Sequence, residues 1–396
     1  MFLYAANFPD CMHKCLLFII YCLACLTVFP QGLTKIENVV KTSADIKTGA
    51  EQMDLYLPLI KGKSIGLVGN QTSVIGETHL LDTLLSLGIN VKKVFGPEHG
   101  FRGTADAGDR IKSMKDAKTG LPVISLYGRK AKPSPGDLKD IEVLVFDIQD
   151  VGVRFYTYLS TLHYVMEACA ENNKTLIVLD RPNPNGYYVD GPVLEERYKS
   201  YVGLDPVPIV YGMTVGEYAL MINGEKWLKA GRQCNLKIIP LRGYKHSNLY
   251  ELPVKPSPNL PNMAAVYLYP SLALFEGTVV SVGRGTAMPF EVIGHPHLQN
   301  TNFIFTPHST PGALNPPYKD TICYGFDLRD FGTLYIKNAK SLYLYWLQGT
   351  YQNTADKAHY FSSYFNMLAG TATLKQQIID GIPETDIRKS WEPGLK

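Results

Sequence analysis

Three short strand-like runs constrain this chain more than anything else in it. They are VKKVF at Val91–Phe95, VLVF at Val143–Phe146 and LIVL at Leu176–Leu179. The last two carry no polar residue at all, as expected of strands covered on both faces. Further runs of the same kind are Ser64–Val68, Pro122–Tyr127 and Leu236–Pro240, and Gly69-Asn70-Gln71-Thr72 forms a turn after the first. Helical patterns fall between them, at Glu77–Leu87, from about Tyr156 to Glu171, and at Thr214–Lys229. Strands alternating with helices predict an α/β fold built on a parallel sheet. That unit spans 50–240, after a polar linker at Ile36–Gln52. From 241 to 396 the pattern changes to a smaller mixed α+β domain. Its predicted elements are a strand at Thr301–Phe305 and helices at Ser341–Tyr351 and Ser363–Ile379. A chain of 396 residues exceeds the usual size of one core, which agrees with two domains.

The residues just beyond these strands carry the chemistry. VKKVF is followed by Glu98, VLVF by Asp147 and LIVL by Asp180. In an open α/β sheet, ligands bind outside the carboxyl ends of the strands, so three strands deliver carboxylates toward one edge. Glu98 sits in VFGPEHGFRG with His99 and Arg102, an acid, an imidazole and a guanidinium within five residues. Asp147 opens DIQDVGVRFYTY, which adds Gln149, Asp150, Arg154, Tyr156 and Tyr158; Asp180 opens DRPNPNG, which adds Arg181 and Asn183. No GxGxxG or Walker sequence comes after the first strand, so the usual backbone cradle for a nucleotide is missing.

In the second half, KPSPNLPN (Lys255–Asn262) leads into YPSLALFEGTVVSVGRGTAMPFEVIG. There Gly283 and Gly285 flank Arg284, with Glu276 and Glu291 on either side. Glycines at these positions would let the backbone approach a ligand closely; the alternative is a glycine-rich hairpin with a solvated arginine. A cleft between this domain and the sheet edge is the expected site.

The leader reads as an export signal. Lys14 precedes the uncharged run Cys15–Phe29, which is short for a membrane span. Asp10 fits poorly in a basic region, so Met12 is the expected start, and residues 1–30 are assigned to a signal peptide. Leu23-Ala24-Cys25 resembles the end of a lipoprotein signal, although Cys22 stands where an aliphatic residue is expected. Lipidation of Cys25, cleavage further on and an uncleaved anchor are the three readings. Four of the seven cysteines lie in this leader; Cys169, Cys234 and Cys323 make neither a disulfide framework nor a zinc spacing. The net charge of +3 gives no reason to invoke nucleic acid, while 25 tyrosines suit sugar binding.

GNQTSV, GPEHGFRG, DIQDVGVRFYTY, DRPNPNG, YGMTVGE and EGTVVSVGRGT, in this order, resemble the NamZ-type exo-β-N-acetylmuramidases, bacterial glycoside hydrolases formerly catalogued as a domain of unknown function. The resemblance covers about residues 50 to 396. It implies a Rossmann-like catalytic domain and a smaller C-terminal domain closing the cleft; no cofactor or metal is expected. It implies release of terminal N-acetylmuramic acid from the non-reducing end of peptidoglycan-derived oligosaccharides, with Glu98 of the GPEHG motif as the catalytic glutamate. Relatives continue for a short further helix beyond WEPGLK.

Glycosidic cleavage needs an acid for the leaving oxygen and usually a second carboxylate. Asp147, Asp150 and Asp180 are the candidates for that second group, and the substrate's own acetamido group is another. Muramic acid carries a lactyl carboxylate that a guanidinium can bind through two hydrogen bonds; the candidates are Arg284, Arg154 and Arg102 in that order. His99, Gln149, Tyr156, Asn183 and Glu276 complete the expected substrate-binding set. Two other classes stay open: a metal-dependent hydrolase using His99, Asp147, His295 and His297, and a non-catalytic sugar-binding lipoprotein. The expected location is the periplasm, with or without membrane attachment through Cys25.

Overall fold

The computed structural model describes residues 46–102 and 114–396. The leader, Cys25 and its cysteine-rich surroundings lie outside the described residues, as does most of the linker.

Seven strands form the main sheet: β1 (Ile65–Gly69), β4 (Val91–Gly96), β5 (Met114–Lys115), β6 (Pro122–Ser125), β7 (Val143–Asp147), β8 (Thr175–Leu179) and β9 (Asn235–Ile239), in the order β5-β6-β4-β1-β7-β8-β9. All pairs are parallel except β5 with β6. Numbered along the chain, the parallel strands run 3-2-1-4-5-6, the doubly wound Rossmann order. A hairpin of β2 (Val74–Ile75) and β3 (Thr78–His79) comes after β1, and β10 (Val292–His295), β11 (Phe303–Phe305) and β12 (Cys323–Asp327) form a small antiparallel sheet.

The apolar runs are continuous because each strand feeds two cores. Val143 and Val145 of β7 enter one core and Leu144 and Phe146 the other; Ile177 and Leu179 of β8 oppose Leu176 and Val178 in the same way. The helices Met53–Ile60 and Leu80–Ser86 cover the first face through Tyr56, Ile60, Leu81 and Leu84. The helices Tyr158–Glu171 and Val215–Gly224 cover the second. That second core runs without a break into the C-terminal segment, through Leu268, Phe290, Leu342, Phe365 and Trp391.

Several predicted elements are corrected. The helix expected over Glu77–Leu87 is shorter, because the β2–β3 hairpin takes its first residues and His79 Nδ1 accepts from Leu81 N to start it at Leu80. The helix expected to Lys229 stops at Gly224, where Lys226 turns to φ +58°. The helix expected over Ser363–Ile379 is two, Tyr364–Ala369 and Thr373–Ile379, broken at Gly370 with φ +76°. The end of the linker is not a linker. Lys47 and Arg242 exchange backbone hydrogen bonds of 2.9 and 3.0 Å, and Gly49 packs so tightly that a Cβ there would lie 2.5 Å from Asp180 N.

Candidate active site

A cleft of about 420 Å³ opens at the carboxyl ends of β4, β6 and β7, and the C-terminal segment supplies its other wall. Its size is that of a small-molecule site. Glu98 enters it from the turn after β4. Gly100 N donates to Pro97 O at 3.0 Å across that turn, and His99 is held at φ +65°. A left-handed histidine costs on the order of 1 kcal/mol, and here the cost accompanies a turn that directs the adjacent Glu98 into the cleft. Thr157 Oγ1 donates to Glu98 Oε2 at 2.6 Å. The Tyr127 phenol, from beyond β6, also hydrogen-bonds Glu98; burial and that carboxylate together raise its pKa.

Across the cleft, Glu276 Oε1 accepts from both Arg284 Nε and Arg284 Nη2, each at 2.8 Å. The guanidinium lies 4.9 Å from the Phe290 ring centroid. Burial opposes its charge, yet the Glu276 and Glu98 carboxylates and Tyr269 outweigh that and hold its pKa above the ordinary value. The floor is aromatic: Tyr156 meets Tyr158 and Tyr269 edge-on at 4.7 and 5.7 Å, and Tyr269 meets Phe290 at 4.8 Å. Such rings offer flat faces to a sugar.

Of the residues expected from sequence, Glu98, His99, Tyr156, Glu276 and Arg284 line this cleft. The others do not. Asp147 is fully buried in a bidentate pair with Arg181, Nε to Oδ1 at 2.6 Å and Nη2 to Oδ2 at 2.9 Å. Asp180 organises the start of the helix Val215–Gly224, accepting from Gly216 N at 2.7 Å and Thr214 Oγ1 at 2.8 Å; burial raises its pKa to about 6. Asp150 accepts from Gly152 N at 2.7 Å and from the Tyr211 hydroxyl, and burial raises it to about 7. Gln149 donates to the carbonyls of Asp150 and Pro182, and Asn183 to that of Met213. Arg102 grips Asp116 at 3.0 and 2.9 Å. Arg154 is 1% exposed and donates to the carbonyls of Pro192, Val207, Leu368 and Ala369; burial lowers its pKa to about 10, which leaves it cationic at neutral pH. The motifs after β7 and β8 thus supply the scaffold beneath the cleft more than its lining.

Two family models match the chain: exo-beta-N-acetylmuramidase NamZ, N-terminal, over residues 65–264, and its C-terminal counterpart over 267–396. The chain belongs to the NamZ family. A relative from Bacillus subtilis strain 168, a peptidoglycan beta-N-acetylmuramidase NamZ, is 38% identical over 391 residues, covering 91% of each chain. A solved DUF1343 family protein from Bacteroides fragilis is 46% identical with a TM-score of 0.82, covering 88% of this chain and 94% of that one. A second DUF1343 protein from that organism is 31% identical with a TM-score of 0.72, covering 89% and 96%. The two NamZ segments meet within the helix Met263–Leu272, which belongs to the second core.

In this NamZ chain the cleft also contains residues that sequence reasoning passed over: Tyr127, Thr157, Tyr201, Asn259, Tyr269 and Tyr364. The abundance of tyrosine was the signal for most of them, but composition cannot say which tyrosines face a site. The glycines beside Arg284 serve a different purpose from the one expected. A Cβ at Gly283 would lie 2.5 Å from Val292, and one at Gly285 would lie 2.5 Å from His308 O, so both permit tight chain packing. Among the described residues no group of three or more His, Cys, Asp or Glu side chains is arranged to hold a metal ion, so His99, Asp147, His295 and His297 are not gathered as a ligand set.

Proposed function

We propose that this chain is an exo-acting β-N-acetylmuramidase, a glycoside hydrolase that releases terminal N-acetylmuramic acid from the non-reducing end of peptidoglycan fragments. Membership of the NamZ family supports this reading, and so does the cleft itself. The observation that carries it is Glu98, held by the Thr157 and Tyr127 hydroxyls opposite the Glu276–Arg284 pair. Glu98 protonates the leaving oxygen. Glu276 is the second carboxylate of the cleft and takes the place of Asp147, Asp150 and Asp180 as the partner group. Arg284 is the candidate partner of the lactyl carboxylate, and the tyrosine floor carries the sugar ring.

The test is turnover of a muramic acid disaccharide and of a chromogenic muramic acid glycoside by the purified protein. Glu98→Gln keeps the shape but cannot donate a proton, so turnover of the disaccharide should fall roughly 10²–10⁴-fold. Binding without turnover by the unsubstituted protein would instead establish a sugar-binding protein.

We further propose export to the periplasm. Lys14 followed by the apolar run Cys15–Phe29 supports it, and Cys25 is the candidate for lipid attachment. Fractionation tests the location; palmitate labelling that disappears in Cys25→Ser tests the anchor.

A further inference from the structure

Among the described residues four helices have a serine or threonine just before their first residue, and they fall into two pairs. Ser134 and Thr214 have extended backbones, and their hydroxyls accept from the backbone amides of Asp137 at 3.3 Å and Glu217 at 3.2 Å, closing capping boxes. Thr157 before the helix Tyr158–Glu171 and Ser363 before the helix Tyr364–Ala369 have backbones that are already helical, at φ −67°, ψ −6° and φ −63°, ψ −23°. A hydroxyl reaches the second or third amide of its helix only from an extended backbone. Thr157 therefore makes no side-chain cap, and its hydroxyl donates to Glu98 Oε2 at 2.6 Å, across 59 positions of chain. The local contact that would ordinarily stabilise the helix start is exchanged for one with a carboxylate in the cleft.

We propose that Thr157 is a positioning residue for Glu98, fixing the rotation of its carboxyl group so that the proton is presented from one defined direction. The inference rests on Glu98 as the proton donor. A carboxyl group on a turn can rotate about its last bond, and each orientation that points the proton elsewhere lowers the fraction of productive encounters. Strand β4 and the left-handed His99 place the Glu98 backbone; the Thr157 hydroxyl, carried by a helix packed on the sheet, fixes the far end of its side chain.

The experiment compares Thr157→Val, which keeps the shape without the hydroxyl, Thr157→Ser, which keeps the hydroxyl, and Glu98→Gln, on two substrates. One is a muramic acid disaccharide, whose sugar leaving group needs a proton. The other is an aryl muramic acid glycoside whose leaving group scarcely does. Thr157→Val should lose about 10- to 100-fold in kcat on the disaccharide, with KM within about threefold, and far less on the aryl glycoside. Thr157→Ser should restore the rate on the disaccharide. Thr157→Ala carries the same expectation should the valine variant not fold. Equal losses on both substrates would make Thr157 a structural residue and overturn the proposal. So would normal turnover of the disaccharide by Thr157→Val while Glu98→Gln is inactive. Normal turnover by Glu98→Gln would overturn the assignment of the acid itself.

Discussion

Arg154 and Ala369 lie 215 positions apart, and the Arg154 guanidinium donates to the Ala369 carbonyl at 2.8 Å. The neighbouring Leu368 carbonyl accepts from the same nitrogen at 3.1 Å, so the cation sits on the last carbonyls of the helix Tyr364–Ala369. Carbonyls at a helix end have no partner within the helix and carry partial negative charge, which a buried guanidinium satisfies without any carboxylate. The segment after β7 is thereby tied to the helix that carries Tyr364 into the cleft.

Removing this tie should cost the fold before it costs the chemistry. Arg154→Met removes a donor from the carbonyls of Pro192, Leu368 and Ala369 and one of the two donors to that of Val207, and each buried carbonyl left unsatisfied costs on the order of 1–3 kcal/mol before relaxation. Urea unfolding should show a loss of at least about 3 kcal/mol. Gly370→Ala should act in the same direction, because its φ is +76° and a Cβ would lie 2.4 Å from Arg154 Nη2.

Asp147→Asn is expected to destabilise rather than to abolish turnover in protein that still folds. The Asp147–Arg181 pair is fully buried, and removing one charge strands the other, at about 3–5 kcal/mol. Denaturation curves and kcat measured on the same folded preparation separate the two effects. A folded Asp147→Asn variant with kcat reduced a thousandfold would return Asp147 to the catalytic groups.

Arg284→Ala should lower kcat/KM for muramic acid substrates roughly 10- to 150-fold, the size of a charge-assisted hydrogen bond, and affect glucosamine analogues much less. Arg284→Lys should recover part of the loss, since it keeps the charge without the planar fork. Equal damage to both sugars would mean that Arg284 holds Glu276 and does not read the lactyl group.

Asp150 gives a pH dependence of defined sign. Burial raises its folded-state pKa from 3.8 to about 7. Between about pH 4 and about pH 7 the folded chain keeps a proton that the unfolded chain has lost, so this group's contribution to stability falls as pH rises through that window. Relative to Asp150→Asn, the unsubstituted protein should lose on the order of 3 kcal/mol across it. Urea midpoints at several pH values measure the difference; parallel curves would mean that Asp150 is ionised throughout.

The sheet, and the side of it that carries the cleft, were legible in the order of the residues alone. Runs such as Val143–Phe146 and Leu176–Leu179 read as buried strands because both faces are covered, and period-two geometry then sends alternate residues to opposite cores. The position of Glu98 was legible for a similar reason, since a polar residue just after such a strand emerges at its carboxyl end. The same rule placed Asp147 and Asp180 at that edge, but edge position does not fix which way a side chain is satisfied. Asp147 turns to Arg181 and Asp180 to Thr214 and Gly216, each held by partners that no local pattern reveals. Tertiary packing decided the rest of the cleft as well. Thr157 meets Glu98, and Tyr364 joins from near the end of the chain, because a core shared by distant segments brings them together. Contacts of that range depend on how whole elements pack, and residue spacing along the chain carries little information about them.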